Sequence, residues 1–267
     1  MSYYKLIAVD MDDTLLDSNL NISSRSMDAV RRVQEKGIHI TLSTGRMFSS
    51  VKPYAKKLGI DLPLITYQGA MVKSALSEEV LLHRPVPLEL ARQVVAKIKE
   101  YGYNINVYVD DKLYVEKITP EAEMYARISG IKAHPVGDLL EFLQHPPTKV
   151  LAVAKEPEID KLEKDMRPLF DQQLHITKSK PQFLEFSHPR ATKGHALAML
   201  AERYGVEQKQ VMAIGDGYND VEMLDYAGLG VVVGNAREEI KKLADHVAPS
   251  NDEDGVADTL ERFVLEE

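Results

Sequence analysis

Short apolar runs of strand length recur along this chain, and each breaks off abruptly into polar or glycine-rich sequence. Leu6–Val9 runs into Asp10, residues 38–42 into Ser43-Thr44-Gly45, and residues 211–214 into Gly215-Asp216-Gly217. Residues 64–66 and 229–233 show the same pattern. Continuous runs of this kind suit strands of a parallel sheet covered on both faces. Between them lie stretches with helical spacing at 24–36, 48–58 and 193–204, closed by Gly37, Gly59 and Gly205. Glycine just past a helix is the expected stop signal. Strands alternating with helices predict an α/β fold, an open, doubly wound and mostly parallel sheet.

The middle of the chain has another rhythm. Helix-like stretches at 88–101 and 158–170 are mixed with strand pairs. Residues 104–109 and 112–116, joined by Asp110-Asp111, predict a hairpin with a tight turn. Residues 173–177 and 182–186, split by 178–181, predict a second. Pro85, Pro87 and Pro189 bracket this region as linker residues do. The expected organisation is a core domain of residues 1–82 and 190–267, with an α+β domain of residues 83–189 inserted into it. There is no internal repeat and no low-complexity tract.

Composition narrows the partners. With 44% apolar and 28% charged residues, the chain has the balance of a soluble globular protein. A net charge of -8 argues against nucleic acid or an anionic membrane as partner, since both require a basic face. The absence of cysteine excludes disulfides, thiolate metal sites and cysteine nucleophiles, and fits a reducing compartment. No stretch approaches the roughly 20 apolar residues of a membrane helix. The first apolar run is too short, and too soon interrupted by Asp10, for a secretory signal. The expected location is the cytoplasm, and Asn21-Ile-Ser23 is a chance match to a glycosylation sequon.

Chemistry gathers where the strands end. Ligands of open α/β sheets bind beyond the carboxyl ends of the strands, so Asp10, Thr44 and Asp216 can converge there. Asp10-Met-Asp12 places two carboxylates just past a strand, an arrangement that burial would make costly without a cation. Asp216 and Asp220 add further acid. An oxygen-only ligand set favours Mg²⁺ over zinc or copper. Metal among carboxylates suggests phosphate chemistry, which also needs fixed positive charge and donors. Lys193 can supply the first, and the Thr44 hydroxyl and Gly45 amide the second. Thr44-Gly45 equally suits the cap of the helix that follows, and Arg46 can contact either substrate or an acid of the core.

These segments resemble the four motifs of the haloacid dehalogenase superfamily: Asp10-Met-Asp-Asp-Thr14-Leu, Ser43-Thr44-Gly-Arg46, Lys193-Gly194 and Gly215-Asp216-Gly-Tyr-Asn219-Asp220. More narrowly the chain resembles the Cof-type phosphatases, which place a large α/β cap between the second and third motifs. Ile65-Thr-Tyr-Gln-Gly-Ala70 and Asp252-Glu-Asp-Gly255-Val-Ala257 extend the likeness over nearly the whole chain.

The resemblance implies that Asp10 attacks phosphorus and that Asp12 serves as acid and then base. It implies Mg²⁺ held by Asp10, the backbone carbonyl of Asp12, and Asp216, with Asp220 supporting the metal through its water shell. Thr44, Gly45, Lys193 and Asn219 would bind phosphate. Two positions depart from the pattern: Asp13 stands where the superfamily often has Gly, and Gln68 where Asn is expected.

The function expected is a Mg²⁺-dependent phosphatase of a small phosphorylated metabolite such as a sugar phosphate, nucleotide or cofactor phosphate, with oligomeric state open. A sugar phosphomutase of the same superfamily and a non-enzymatic phospho-receiver are the alternatives. Gly228-Leu-Gly230-Val-Val-Val-Gly234 has the wrong spacing for a dinucleotide fingerprint and is expected to be structural. No Gly-x-Ser-x-Gly elbow or P-loop sequence is present.

Overall fold

The structure, a computed structural model, describes residues 3–266. Its strands are β1 (Leu6–Val9), β2 (His39–Leu42), β3 (Pro63–Thr66), β4 (Met71–Ser74), β5 (Val80–His83), β6 (Asn104–Val109), β7 (Lys112–Val115), β8 (Ala133–Pro135), β9 (Lys149–Val153), β10 (His175–Lys180), β11 (Phe183–Ser187), β12 (Val211–Gly215), β13 (Leu229–Val232) and β14 (His246–Val247). Contacts divide the chain into two compact units. One contains the residues up to Gly45, Val51–Leu81 and the residues from Thr192 onward; the other contains Arg46–Ser50 and Leu82–Ala191.

In the first unit five strands form a sheet in the order β14-β13-β12-β1-β2, and every neighbouring pair is parallel. This is the α/β sheet that the sequence predicts. β1 and β12 are buried along their whole length, which is why they read as unbroken apolar runs. A bridge from Ser43 to Ile65 carries the pairing on toward β3, which turns back as the antiparallel strand β4. The Ser24–Glu35 helix is capped by the Ser23 hydroxyl, which accepts from Ser26 N at 3.0 Å.

The strand order matters for function. From β1 the chain moves outward to β2 on one side, and only much later returns to lay β12 on the other. The order in which strands are added therefore reverses between β1 and β12, and the carboxyl ends of these two parallel strands flank the crevice where such sheets bind ligands.

In the second unit a six-stranded mixed sheet runs β10-β11-β9-β6-β7-β8. The amphipathic helices Leu88–Tyr101 and Glu156–Phe170 bury Val94, Val95 and Ile98, and Leu162, Met166 and Phe170, in a core shared with Val107, Val150 and Phe186. The β6–β7 turn falls on Asp110 and Asp111, with φ of 48° and 55°, as a tight hairpin turn requires.

The second hairpin differs from expectation. Lys178 to Lys180 belong to β10, with a register irregularity between Lys178 and Lys180, and the turn is shorter than the sequence suggests. β10 is an edge strand, where lysine is favoured because it discourages pairing with another chain. Near the ends of the Leu82–Ala191 segment, Arg84 Nη1 donates to the Arg190 carbonyl.

Candidate active site

Asp10 directly follows β1 and keeps the strand ladder going, its N–H donating to Ile214 O at 2.9 Å. The next turn, Met11–Leu15, is irregular. Asp12 is extended (φ −69°, ψ 132°) and Asp13 is left-handed (φ 58°). This conformation accounts for the first departure from the motif: glycine adopts it freely, and aspartate is among the side chains that tolerate it best. The turn brings Thr14 back toward β12, where its hydroxyl donates to Asp216 Oδ1 at 2.8 Å.

Beyond β12, Asp220 organises the loop. Its Oδ2 accepts from the amides of Asp216 and Gly217 at 3.0 and 2.9 Å. A Cβ on Gly215 would come within 2.6 Å of the Asp220 carboxyl carbon, so that position admits only glycine without a shift. Lys193 opens the Lys193–Arg203 helix, which Thr192 caps. Its ammonium donates to Asp10 Oδ1 at 2.5 Å and to Asp220 Oδ1 at 2.6 Å. Lys193 and Asp220 are wholly buried, and Asp10 is 4% exposed.

One carboxylate oxygen from each of Asp10, Asp216 and Asp220 lies within 4.8 Å of the others. Three acids thus share one ammonium, leaving two negative charges in excess when all are ionised. The electrostatics follow. Burial pushes Asp10 well above the ordinary carboxylate range, with Lys193 opposing and the other two acids adding to the rise. Burial and the neighbouring Asp220 push Asp216 up to about 6, against the Thr14 hydrogen bond. Burial disfavours the Lys193 charge, but Asp10 and Asp220 more than offset it and hold the ammonium above its ordinary value. Surplus negative charge on hard oxygen donors fits a divalent cation.

The other candidates fall on neighbouring loops of the same unit. Asp12 is half-buried and its side chain is not one of the three clustered acids. Thr44 is buried after β2, its N–H donating to Ile65 O at 2.9 Å. Gly45 follows it, with the Gln68 side chain packed against it. Asn219 Nδ2 donates to Gln68 Oε1 at 3.1 Å. A 340 Å³ cleft opens beside Asp216, lined also by Asp13, Tyr218, Asn235 and Arg237.

Three further residues join this site, of which Gln68 stands out in the sequence only as a departure from its motif. Thr14 carries a signal, a hydroxyl one turn past a strand-end aspartate. Asn235, whose Nδ2 donates to Asp13 O at 2.7 Å, lies three residues beyond the end of β13. Gln68 has no sequence signal for its partner, since the contact spans 151 positions.

The family model described as haloacid dehalogenase-like hydrolase matches residues 7–260. The 5-amino-6-(5-phospho-D-ribitylamino)uracil phosphatase YcsE of Bacillus subtilis is 31% identical over 98% of this chain and 96% of its own. Phosphatase YwpJ of the same organism is 30% identical over 97% of this chain and 100% of its own. Among solved structures, a haloacid dehalogenase-like hydrolase from Bacteroides thetaiotaomicron superposes with a TM-score of 0.90 at 32% identity, covering 97% of this chain and 99% of that one.

Proposed function

This chain belongs to the haloacid dehalogenase-like hydrolase family and is a phosphatase of that superfamily, and from that premise we propose that it hydrolyses a small phosphomonoester through a phospho-aspartate on Asp10, with Mg²⁺ as its metal. The single observation that carries this proposal is Lys193, whose buried ammonium bonds Asp10 and Asp220 inside a cluster that still holds excess negative charge.

In the proposed reaction an Asp10 carboxylate oxygen attacks phosphorus while the bond to the substrate oxygen breaks. That oxygen takes the proton carried by Asp12. Asp12, now a carboxylate, removes a proton from water as the water oxygen attacks the acyl phosphate. The P–O bond to Asp10 breaks, orthophosphate leaves, and both aspartates return to their starting states. Lys193, the Thr44 hydroxyl, the Gly45 amide and Asn219 would hold the phosphoryl oxygens, which carry most of the transition-state charge. Asp10, the Asp12 carbonyl and Asp216 would hold Mg²⁺, which supplies charge neutralisation between nucleophile and phosphate. Asp220 ties the Asp216 loop to Lys193 and so fixes the distance between metal-binding and phosphate-binding groups.

We place residues 83–189 as the cap domain, inserted into a core of residues 1–82 and 190–267, and the enzyme in the cytoplasm. No helix among the described residues is long and apolar enough to cross a membrane. The substrate class is a small phosphorylated metabolite, such as a sugar phosphate, nucleotide or cofactor phosphate, rather than a nucleic acid. The name of the relative YcsE points to a molecule of this size.

The test is a panel of phosphorylated metabolites assayed with and without Mg²⁺, using Asp10→Asn as control. Wild type is expected to release phosphate only with divalent cation, and the variant to lose at least ~10²-fold in rate, about 2.7 kcal/mol of barrier. Equal rates for the two proteins would overturn the mechanism.

A further inference from the structure

The loop after β3 holds three successive residues with positive φ: Tyr67 at 52°, Gln68 at 58° and Gly69 at 94°. Glycine is at ease there. Side-chain-bearing residues are not, because Cβ crowds the following carbonyl, and Gln lacks the relief that Asn and Asp obtain from a shorter polar side chain. Strained backbone of this kind persists where the surroundings fix it, and it clusters at functional sites.

The surroundings here are the other three loops of the site. Gln68 N donates to Thr44 O at 3.0 Å. A Cβ on Gly69 would lie 2.2 Å from the carbonyl oxygen of Thr192, the residue before Lys193. The Gln68 carboxamide, 4% exposed, spans the remaining gap. Its Nε2 lies 2.4 Å from where a Cβ of Gly45 would stand, and its Oε1 accepts from Asn219 Nδ2 at 3.1 Å.

We propose that Gln68 is a positioning residue for phosphate recognition, acting through Asn219. The proposal rests on the assignment of Asn219 as a phosphate ligand made above. A carboxamide has two N–H donors and one acceptor oxygen, and its two faces exchange by a flip. Gln68 Oε1 opposes that flip, because turning Asn219 alone would set oxygen against oxygen. With Gln68 in this orientation, the second Asn219 N–H is directed away from Gln68. Asn at position 68 is shorter by about one C–C bond, ~1.5 Å, and could not close a contact that already stands at 3.1 Å. Asn would suit the left-handed backbone better, so this chain keeps the longer amide at a cost in local strain.

The experiment uses Gln68→Asn, Gln68→Met, Asn219→Ala and the double variant Gln68→Met/Asn219→Ala. It reads the Kd for inorganic orthophosphate by calorimetry, kcat and KM on p-nitrophenyl phosphate with Mg²⁺, and Tm. Gln68→Met is expected to raise the orthophosphate Kd and KM about 10-fold, the scale of one buried hydrogen bond, with much less effect on kcat. Gln68→Asn should weaken phosphate equally while raising Tm, which separates positioning from simple support of the fold. In the Asn219→Ala background Gln68→Met should change Kd by less than about 2-fold.

Additive losses in the double variant, or wild-type phosphate affinity in Gln68→Asn, would overturn the proposal. So would an unchanged Kd in Asn219→Ala, which removes its premise. If Gln68→Met does not fold, the Asn pair of outcomes still decides. Asp10→Asn, assayed alongside, reports on the phospho-aspartate mechanism separately: its failure to lose activity sinks that mechanism whatever Gln68 does.

Discussion

Among the described residues each unit buries one lysine, and the two are surrounded very differently. In the second unit, Lys149 Nζ sits 3.1 Å from Glu185 Oε2 and 5.0 Å from the centre of the Tyr108 ring. Burial opposes its charge, and Glu185, with a further contribution from Tyr125, restores it and holds the ammonium above its ordinary value. The pair is balanced, and the residues sit on neighbouring strands β9 and β11, where diagonal cross-strand contacts form. In the first unit, Lys193 faces two of three clustered acids and leaves them short of positive charge. A balanced pair holds a sheet together. An unbalanced cluster is stable only with something more bound to it.

The comparison can be broken at its largest expected effect by Glu185→Gln. This change strands a buried ammonium and should cost about 3–5 kcal/mol of stability in urea unfolding, as breaking buried pairs does. A cost under ~1 kcal/mol would mean that the two lysines are not distinct in kind.

In the cluster the sign should reverse. Asp216, pushed up to about 6 from an ordinary 3.8, binds more protons folded than unfolded between those values. Its contribution to stability is complete below the unfolded value and is lost as pH rises through about 6. Cation-free wild type should therefore weaken between about pH 4 and pH 7, and Asp216→Asn should gain up to ~3 kcal/mol at pH 7. Saturating Mg²⁺ should restore the wild type, by about 2.7 kcal/mol at 100 times Kd, and leave the variant unmoved. Melting in EDTA and in Mg²⁺ at both pH values decides this, and a variant less stable than cation-free wild type would refute it.

The smallest effect sharpens the comparison. Thr14→Val removes the hydrogen bond that favours ionised Asp216. It should move the Asp216 titration further upward in an NMR experiment, and weaken cation binding by about 1–2 kcal/mol. No movement would mean that Thr14 serves packing alone.

What could be read from sequence follows from these physical differences. β1 and β12 were legible because strands covered on both faces leave an unbroken apolar run, and because each is followed directly by an acid. Lys193 was legible only through its motif, since a single lysine at a helix start is common on surfaces. β9 was not singled out: its central position is written in Val150 to Val153, but Lys149 at its start looks like a loop lysine until Glu185 is seen beside it. The end of β10 was obscured by three polar residues that an edge strand exposes freely. The contacts of Gln68 and Thr14 were not legible, because their partners come from other loops and no periodicity encodes such pairs.

The adjoining ends of the second unit, joined through Arg84 and the Arg190 carbonyl, have a consequence for the history of the chain. A segment that leaves and re-enters at neighbouring points can be lengthened, shortened or exchanged without rerouting the polypeptide on either side. The order of strands that sets Asp10 beside Asp216 is untouched by such an exchange. Residues 82–191 can therefore vary in length while the order of strands around Asp10 and Asp216 is kept.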